Sequence, residues 1–382
     1  MKDTKSSNNL VSSVKQNIIE TLKSETVLII AVFLAIVSSF FSLPKVEYID
    51  FRVLILLFDL MVVVEALNNL KVLDNLAIKI INSCTNYRYI TLGMVFITFF
   101  ASMIVTNDVA LITFIPLTII IGKRSNINVM KMVIFQTLAA NLGSAFTPMG
   151  NPQNLFLFTF YKMGTLRFFK ITIFIAILGI IFLILLILKE NDRKIELNLE
   201  DVTVKNRNKV IGVMILMTLS IMSVFHILDY RIVFIITILY VLSNDIKILR
   251  NIDYSLLITF IGFFIFVGNI SNMSIVKNFM QGILNSKSST YFSGILCSQV
   301  ISNVPATMLL SRFTSYGKEL LLGVNIGGMG TLIASLASVI SYKLYIKEYK
   351  TEGLKYIKTF TLYNILGLVI FVPIVYFLQV CF

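Results

Sequence analysis

The sequence contains no tryptophan and a single histidine, His226. Without tryptophan, an aromatic girdle at a lipid–water boundary has to come from tyrosine and phenylalanine. One histidine excludes a His-Glu-x-x-His zinc site or a comparable catalytic pair, and no phosphate-binding Gly-x-x-x-x-Gly-Lys-Ser/Thr loop is present. His226, near the outer end of its helix, reads as an interfacial residue. The three cysteines, Cys84, Cys297 and Cys381, lie far apart and lack metal-ligand spacing; Cys297, five residues before Ser302, reads as a packing residue. Charge is scarce as well, at 14% of residues against roughly 25% in soluble domains.

What is abundant is apolar surface. Hydrophobic residues make up 57% of the 382 positions, and the mean hydropathy is +0.87. Apolar runs of roughly 17–22 residues match the bilayer core, so the fold class expected is an all-α polytopic membrane protein. The net charge of +13 then decorates cytoplasmic loops and calls for no nucleic-acid partner. The polar segment 1–26 lacks the short apolar core of a secretory signal and is expected to stay in the cytoplasm.

Hydropathy places about nine spanning helices, near 27–43, 52–69, 131–160, 168–188, 209–228, 230–244, 253–271, 318–346 and 359–380. Two more apolar pairs, 88–122 and 289–316, fold around the polar strings Thr106-Asn107-Asp108 and Ser302-Asn303-Val304 and are expected to be re-entrant hairpins. The segments 131–160 and 318–346 are long for one crossing and carry glycine and polar residues midway, so both are expected to be broken helices. Lysine and arginine favour the loops 70–88, 123–131, 189–209, 245–250 and 343–358, which places the N-terminus inside.

The halves align. Ile49-Asp50 to Asn75 matches Ile252-Asp253 to Asn278 without gaps; Asn107 pairs with Asn303, and Asn141, Gly143 and Thr147 pair with Asn325, Gly327 and Thr331. The expected organisation is a first repeat at 27–188, a cytoplasmic linker at 189–208, a connecting helix at 209–228 that flips the second half, and a second repeat at 229–382. Inverted repeats with broken elements place a substrate site where those elements meet. Hydroxyl and amide groups at membrane depth are costly unless they face a cavity, a partner or an ion. The candidate site residues are therefore Thr106, Asn107, Asp108, Asn141, Gly143, Thr147, Gly150, Asn151, Ser302, Asn303, Asn325, Gly327 and Thr331. Asp108, Asp59 and Glu65 are acids within apolar stretches and are candidates for proton or cation coupling. Asp59 and Glu65 lie roughly 240° apart around their helix, so a shared site is not expected.

Thr-Asn-Asp-Val-Ala-Leu (106–111), Gly-Asn-Pro-Gln-Asn (150–154), Ser-Asn-Val-Pro-Ala (302–306) and Asn-Ile-Gly-Gly (325–328) resemble the ion transporter superfamily, which includes arsenite-efflux permeases, citrate carriers, sodium/proton antiporters and sodium-coupled dicarboxylate symporters. The resemblance implies a homodimeric elevator with hairpin tips and unwound helices holding the substrate and the coupling ion. Thr106, Asn107 and 143–151 would form one ion site; Ser302, Asn303 and 325–331 would form its counterpart. The dicarboxylate branch carries Ser-Asn-Thr at both tips, whereas here the third positions are Asp108 and Val304. The functional expectation is a secondary transporter, not an enzyme, moving a small inorganic or carboxylate anion across the plasma membrane with Na⁺ or H⁺. It needs no cofactor and no metal other than Na⁺. The alternatives are a cation/proton antiporter of the same fold or, from another class, a channel or intramembrane enzyme.

Overall fold

The computed structural model describes residues 26–195, 199–204 and 206–381. The cytoplasmic assignment of 1–26 falls on residues outside that set, Thr26 excepted, as do positions 196–198 and 205 of the linker. Among the described residues no strand forms; Asn86 and Lys194 make one isolated antiparallel bridge.

Among the described residues seventeen α-helices follow one another. The first eight are α1 (Thr26–Ser39), α2 (Phe51–Asn69), α3 (Val72–Asn82), α4 (Tyr87–Val105), α5 (Asn107–Arg124), α6 (Met130–Ser144), α7 (Pro152–Phe160) and α8 (Thr165–Leu188). Then come α9 (Arg207–Val224), α10 (Tyr230–Asn244), α11 (Tyr254–Ser271), α12 (Ser274–Ile283), α13 (Lys287–Ile301), α14 (Asn303–Ser311), α15 (Gly317–Gly327), α16 (Leu336–Glu348) and α17 (Gly353–Val375). By length and composition α4, α8, α9, α11 and the stretch Lys350–Val380 can each cross a membrane, and α2 with α3 forms a sixth candidate bent by 54°. The chain is thus a multi-pass membrane protein. The fourteen residues of α1 and fifteen of α10 give only about 21–23 Å, less than the roughly 30 Å hydrocarbon core.

The aligned Asp50 and Asp253 do the same local work. Asp50 accepts a hydrogen bond from the Val53 N–H at 3.1 Å and Asp253 from the Leu256 N–H at 3.1 Å, each satisfying an orphan donor at a helix start. Two short helices, α3 and α12, occupy stretches read from sequence as segments between the apolar runs. Lys71 at φ 61° and Asn272-Met273 break the chain before them.

Packing falls into two groups of helices. In one, α1 packs along α11 while α9 and α10 pack along α2. In the other, α4 lies on α6, α13 on α15, and α16 on both α5 and α6, with α8 and α17 alongside. Contacts between the groups are few and include α14 with α11 and α7 with α2. Apolar residues such as Ile232, Ile235 and Leu239 of α10 and Leu362 and Val369 of α17 are exposed, as lipid-facing surfaces require.

Candidate functional site

Each hairpin turns on a single non-helical residue. Thr106 ends α4 and starts α5 at φ 74°, ψ 155°. Ser302 does the same between α13 and α14 at φ 75°, ψ 154°. That region of backbone space is essentially glycine territory, and a side chain there costs about 1–3 kcal/mol unless its surroundings enforce it. Two such junctions with matching angles, at aligned positions, mark both tips as points of backbone strain.

The long apolar segments are interrupted where glycine and proline predicted. In the first, α6 ends at Ser144 and α7 resumes at Pro152, with Asn151 capping it by accepting from the Asn154 N–H at 2.8 Å. In the second, α15 ends at Gly327 and α16 resumes at Leu336.

Tips and interruptions are stitched together in the same way in both halves. The Thr147 hydroxyl donates to the Met103 carbonyl; the Thr331 hydroxyl donates to the Gln299 carbonyl at 3.0 Å. Met103 and Gln299 both lie three residues before their tips. Gly143 and Gly327 permit close approach of helices: a Cβ at Gly143 would lie 2.2 Å from the Phe99 carbonyl oxygen and 2.6 Å from Ser102 Oγ, and one at Gly327 would lie 2.8 Å from Ser298 Cβ. Gly143→Ala is therefore expected to lower stability by about 1–3 kcal/mol or more through overpacking, and more than Gly327→Ala, because its clash is with backbone. Thermal unfolding of the two purified variants checks the order.

An amide network joins the halves. Asn107 Nδ2 donates to Asn141 Oδ1 at 3.3 Å, and the Asn107 N–H donates to the Gly150 carbonyl at 3.1 Å. Asn141 Nδ2 donates to the Gly328 carbonyl at 3.4 Å, and Ser335 Oγ donates to Asn141 Oδ1 at 3.0 Å. Asn151 Nδ2 donates to Asn325 Oδ1 at 3.2 Å, while Asn325 Nδ2 donates to Asn154 Oδ1 at 2.7 Å. Asn107, Asn141, Asn151, Ser302, Asn303 and Asn325 are all buried.

Asp108 stands apart in this neutral setting. It lies in the first turn of α5, where a carboxylate suits the helix dipole, yet its Oδ1 is buried without a hydrogen-bond partner. Among the described residues no group of three or more His, Cys, Asp or Glu could hold a metal ion. A cation here would be held by neutral oxygens and Asp108 alone.

Thus the thirteen candidate residues lie at the two tips, along the interruptions or in the helical turns beside them. The two other acids lie elsewhere. Asp59 is fully buried on α2, its oxygens unpartnered, beside the Phe58–Phe234 contact with α10. Glu65 accepts from Asn69 Nδ2 at 3.3 Å and from Asn251 Nδ2 at 2.7 Å, in an exposed setting. His226, in the α9–α10 connection, is paired with Arg52; burial and that cation hold its imidazole below the usual range. Three participants escaped the sequence reading of the site: Asn154, Ser335 and Gln299. Asn154 was visible as the last residue of the Gly-Asn-Pro-Gln-Asn string (150–154); nothing in the pattern marked the other two.

Paired tips against interrupted helices define a membrane transporter. The comparisons with known proteins say which kind. A family model described as citrate transporter matches residues 17–315, and the chain belongs to that family. It is 36% identical over 304 residues to the uncharacterized transporter MJ0456 of Methanocaldococcus jannaschii, covering 78% of this chain and 81% of the relative. It is 26% identical over 302 residues to the inner membrane protein YbiR of Escherichia coli, covering 78% and 80%. A shorter match, 26% over 132 residues, covers 35% of this chain and 23% of the transporter arsB of Dictyostelium discoideum. Family and relatives point to a transporter, not an enzyme.

Proposed function

We propose that the protein is an ion-coupled secondary transporter of a small anion or oxyanion, working by alternating access in the plasma membrane as a homodimer with a cytoplasmic N-terminus. The observation that carries this reading is the matched geometry of Thr106 and Ser302, each apposed to an interrupted helix and joined across the halves by Asn141, Asn151 and Asn325. Two halves of like construction, oppositely oriented, are the arrangement alternating access calls for. The group containing both hairpins is the moving body, and the group of α1, α2, α9, α10 and α11 is the scaffold; their sparse mutual contacts favour sliding.

The two tips differ in what they offer. The first turn of α5 has its own anion in Asp108, whereas the first turn of α14 has no acidic residue. The α14 N-terminus is thus free to favour a substrate anion, and the Asp108 carboxylate to favour Na⁺ or H⁺. The description of the family as citrate transporters supports a carboxylate substrate, and the neutral amide network offers donors suited to an anion. A second reading, a cation/proton antiporter, is favoured by the unpartnered carboxylate oxygens of Asp108 and Asp59.

Proteoliposomes test both. Labelled citrate, succinate, arsenite, phosphate and sodium are offered under imposed Na⁺ or H⁺ gradients. One of the anions is expected to accumulate against its gradient, and Asn107→Ala with Asn303→Ala is expected to cut that uptake at least about tenfold, the equivalent of one lost buried hydrogen bond. Sodium-for-proton exchange without any anion uptake would replace this reading with the second.

A further inference from the structure

Three cations gather at one end of the molecule, far from the loops that hold most of its lysine and arginine. A cavity of about 410 Å³ opens between the start of α8, the start of α15 and the segment after α17, lined by Leu166, Arg167, Lys170, Ile171, Lys318 and Gln379. No acid lines it; Glu319, the neighbour of Lys318, is buried near Tyr161 instead. Among the described residues none of the three cations enters an ion pair. Such a cluster is disfavoured twice. Arg167 and Lys318 lie in the first turns of α8 and α15, where the helix dipole opposes positive charge. The start of α8 is also the end away from the basic loops, where cations in a membrane protein are scarce. An anion held by all three offsets both.

The surroundings say which anion. With 24 residues, α8 is about 36 Å long and overreaches the roughly 30 Å hydrocarbon core, so its first turn comes to headgroup level. Leu166, Ile173, Ile177 and Ile181 are exposed, and Lys170 falls in line with them at helical spacing, on a single face of α8. Beside Gln379, Phe377 and Leu378 are exposed as well. The basic cavity thus stands at the head of an apolar, lipid-facing stripe. We propose that Arg167, Lys170 and Lys318 bind the phosphate of an anionic phospholipid, with the Gln379 carboxamide as a neutral donor and an acyl chain along the α8 stripe. A lysine that merely snorkels to the boundary needs no partners; here cations from two helices converge on one cavity. The helices α8, α15 and α17 pack in the same group, so the site does not depend on the transport reading above.

The test follows thermal unfolding of the full chain, purified in neutral detergent, as lipid is added at fixed ionic strength. Phosphatidylglycerol is expected to raise the unfolding temperature. Phosphatidylcholine, whose headgroup carries no net charge, and inorganic phosphate, which has no acyl chain, are expected to leave it unchanged at the same concentration. Arg167→Gln, Lys170→Gln and Lys318→Gln are each expected to raise the half-effective phosphatidylglycerol concentration about fivefold, and the triple variant about 100-fold. Lys355→Gln removes an exposed cation at the other end of α17 and is expected to respond to phosphatidylglycerol as the wild type does. Absence of any shift with phosphatidylglycerol would overturn the proposal. So would an equal shift with phosphatidylcholine, or an equal response of wild type and triple variant. Inorganic phosphate that stabilises as well as phosphatidylglycerol would also overturn it, replacing the lipid by a dissolved anion.

Discussion

Asp108→Asn is expected to abolish cation-driven uptake while leaving the protein folded. The side chain's Oδ1 is buried with no partner, so an amide of the same shape forfeits no hydrogen bond at that atom. What it does forfeit is charge. Removing one member of a buried ion pair costs about 3–5 kcal/mol, which corresponds to a roughly 100- to 4000-fold weaker cation affinity. A linked stability effect follows. Ligand bound only by the native state stabilises it by RT ln(1 + [L]/Kd), so wild-type protein should melt at higher temperature as Na⁺ is raised and the Asn variant should not. In Na⁺-free buffer the order reverses, because the variant no longer buries an unpaired acid. Melting curves in Na⁺ and choline, beside gradient-driven uptake, measure both. Uptake that survives the substitution unchanged would remove Asp108 from the coupling machinery.

The same residue shows how much of this protein was legible before its structure. Polar strings within apolar runs announced both tips, because a Thr-Asn-Asp or Ser-Asn-Val at membrane depth needs a reason to be there. Pro152 and the glycines at 143, 150, 327 and 330 announced the interruptions, since local backbone chemistry is enough to stop a helix. Asp50 and Asp253 aligned in register because each caps a helix, a purely local task. What stayed hidden depends on residues meeting from far apart. Glu65 was one of three acids named for coupling, behind Asp108, and the fold pairs it with Asn251 in an exposed setting. The helices α3 and α12 are short and amphipathic, and a window tuned to spanning length passes over them. Gln299 was an unremarked amide until its three bonds to 327–331 were visible. The unusual φ of Thr106 and Ser302 is imposed by packing, against the preference of their own side chains.

Asn325→Ala is expected to be the most damaging single change in the amide network, for transport and stability alike. Asn325 lies in the last turn of α15 and is the point where that helix meets both ends of the interruption before α7. Its Oδ1 accepts from Asn151 Nδ2 at 3.2 Å, and its Nδ2 donates to Asn154 Oδ1 at 2.7 Å and to the Leu321 carbonyl at 2.8 Å. Asn151 keeps Ser144 Oγ at 3.2 Å as a second acceptor, so it is only partly orphaned. Asn154 Oδ1 fares worse, because it is fully buried and Asn325 is its partner. Leaving one buried acceptor unpaired and weakening another costs about 2–4 kcal/mol, at about 1–3 kcal/mol for each group. The cost falls on the contact between the two halves, so uptake is expected to fall with it. A double-mutant cycle with Asn154→Ala separates the pair from general loss of packing. Residues bonded to each other should show a coupling of about 0.5–3 kcal/mol. Additive losses would mean that this bond does not hold the two interrupted helices together, and the link across the halves would then rest on Asn141 and on the Asn151–Asn325 bond.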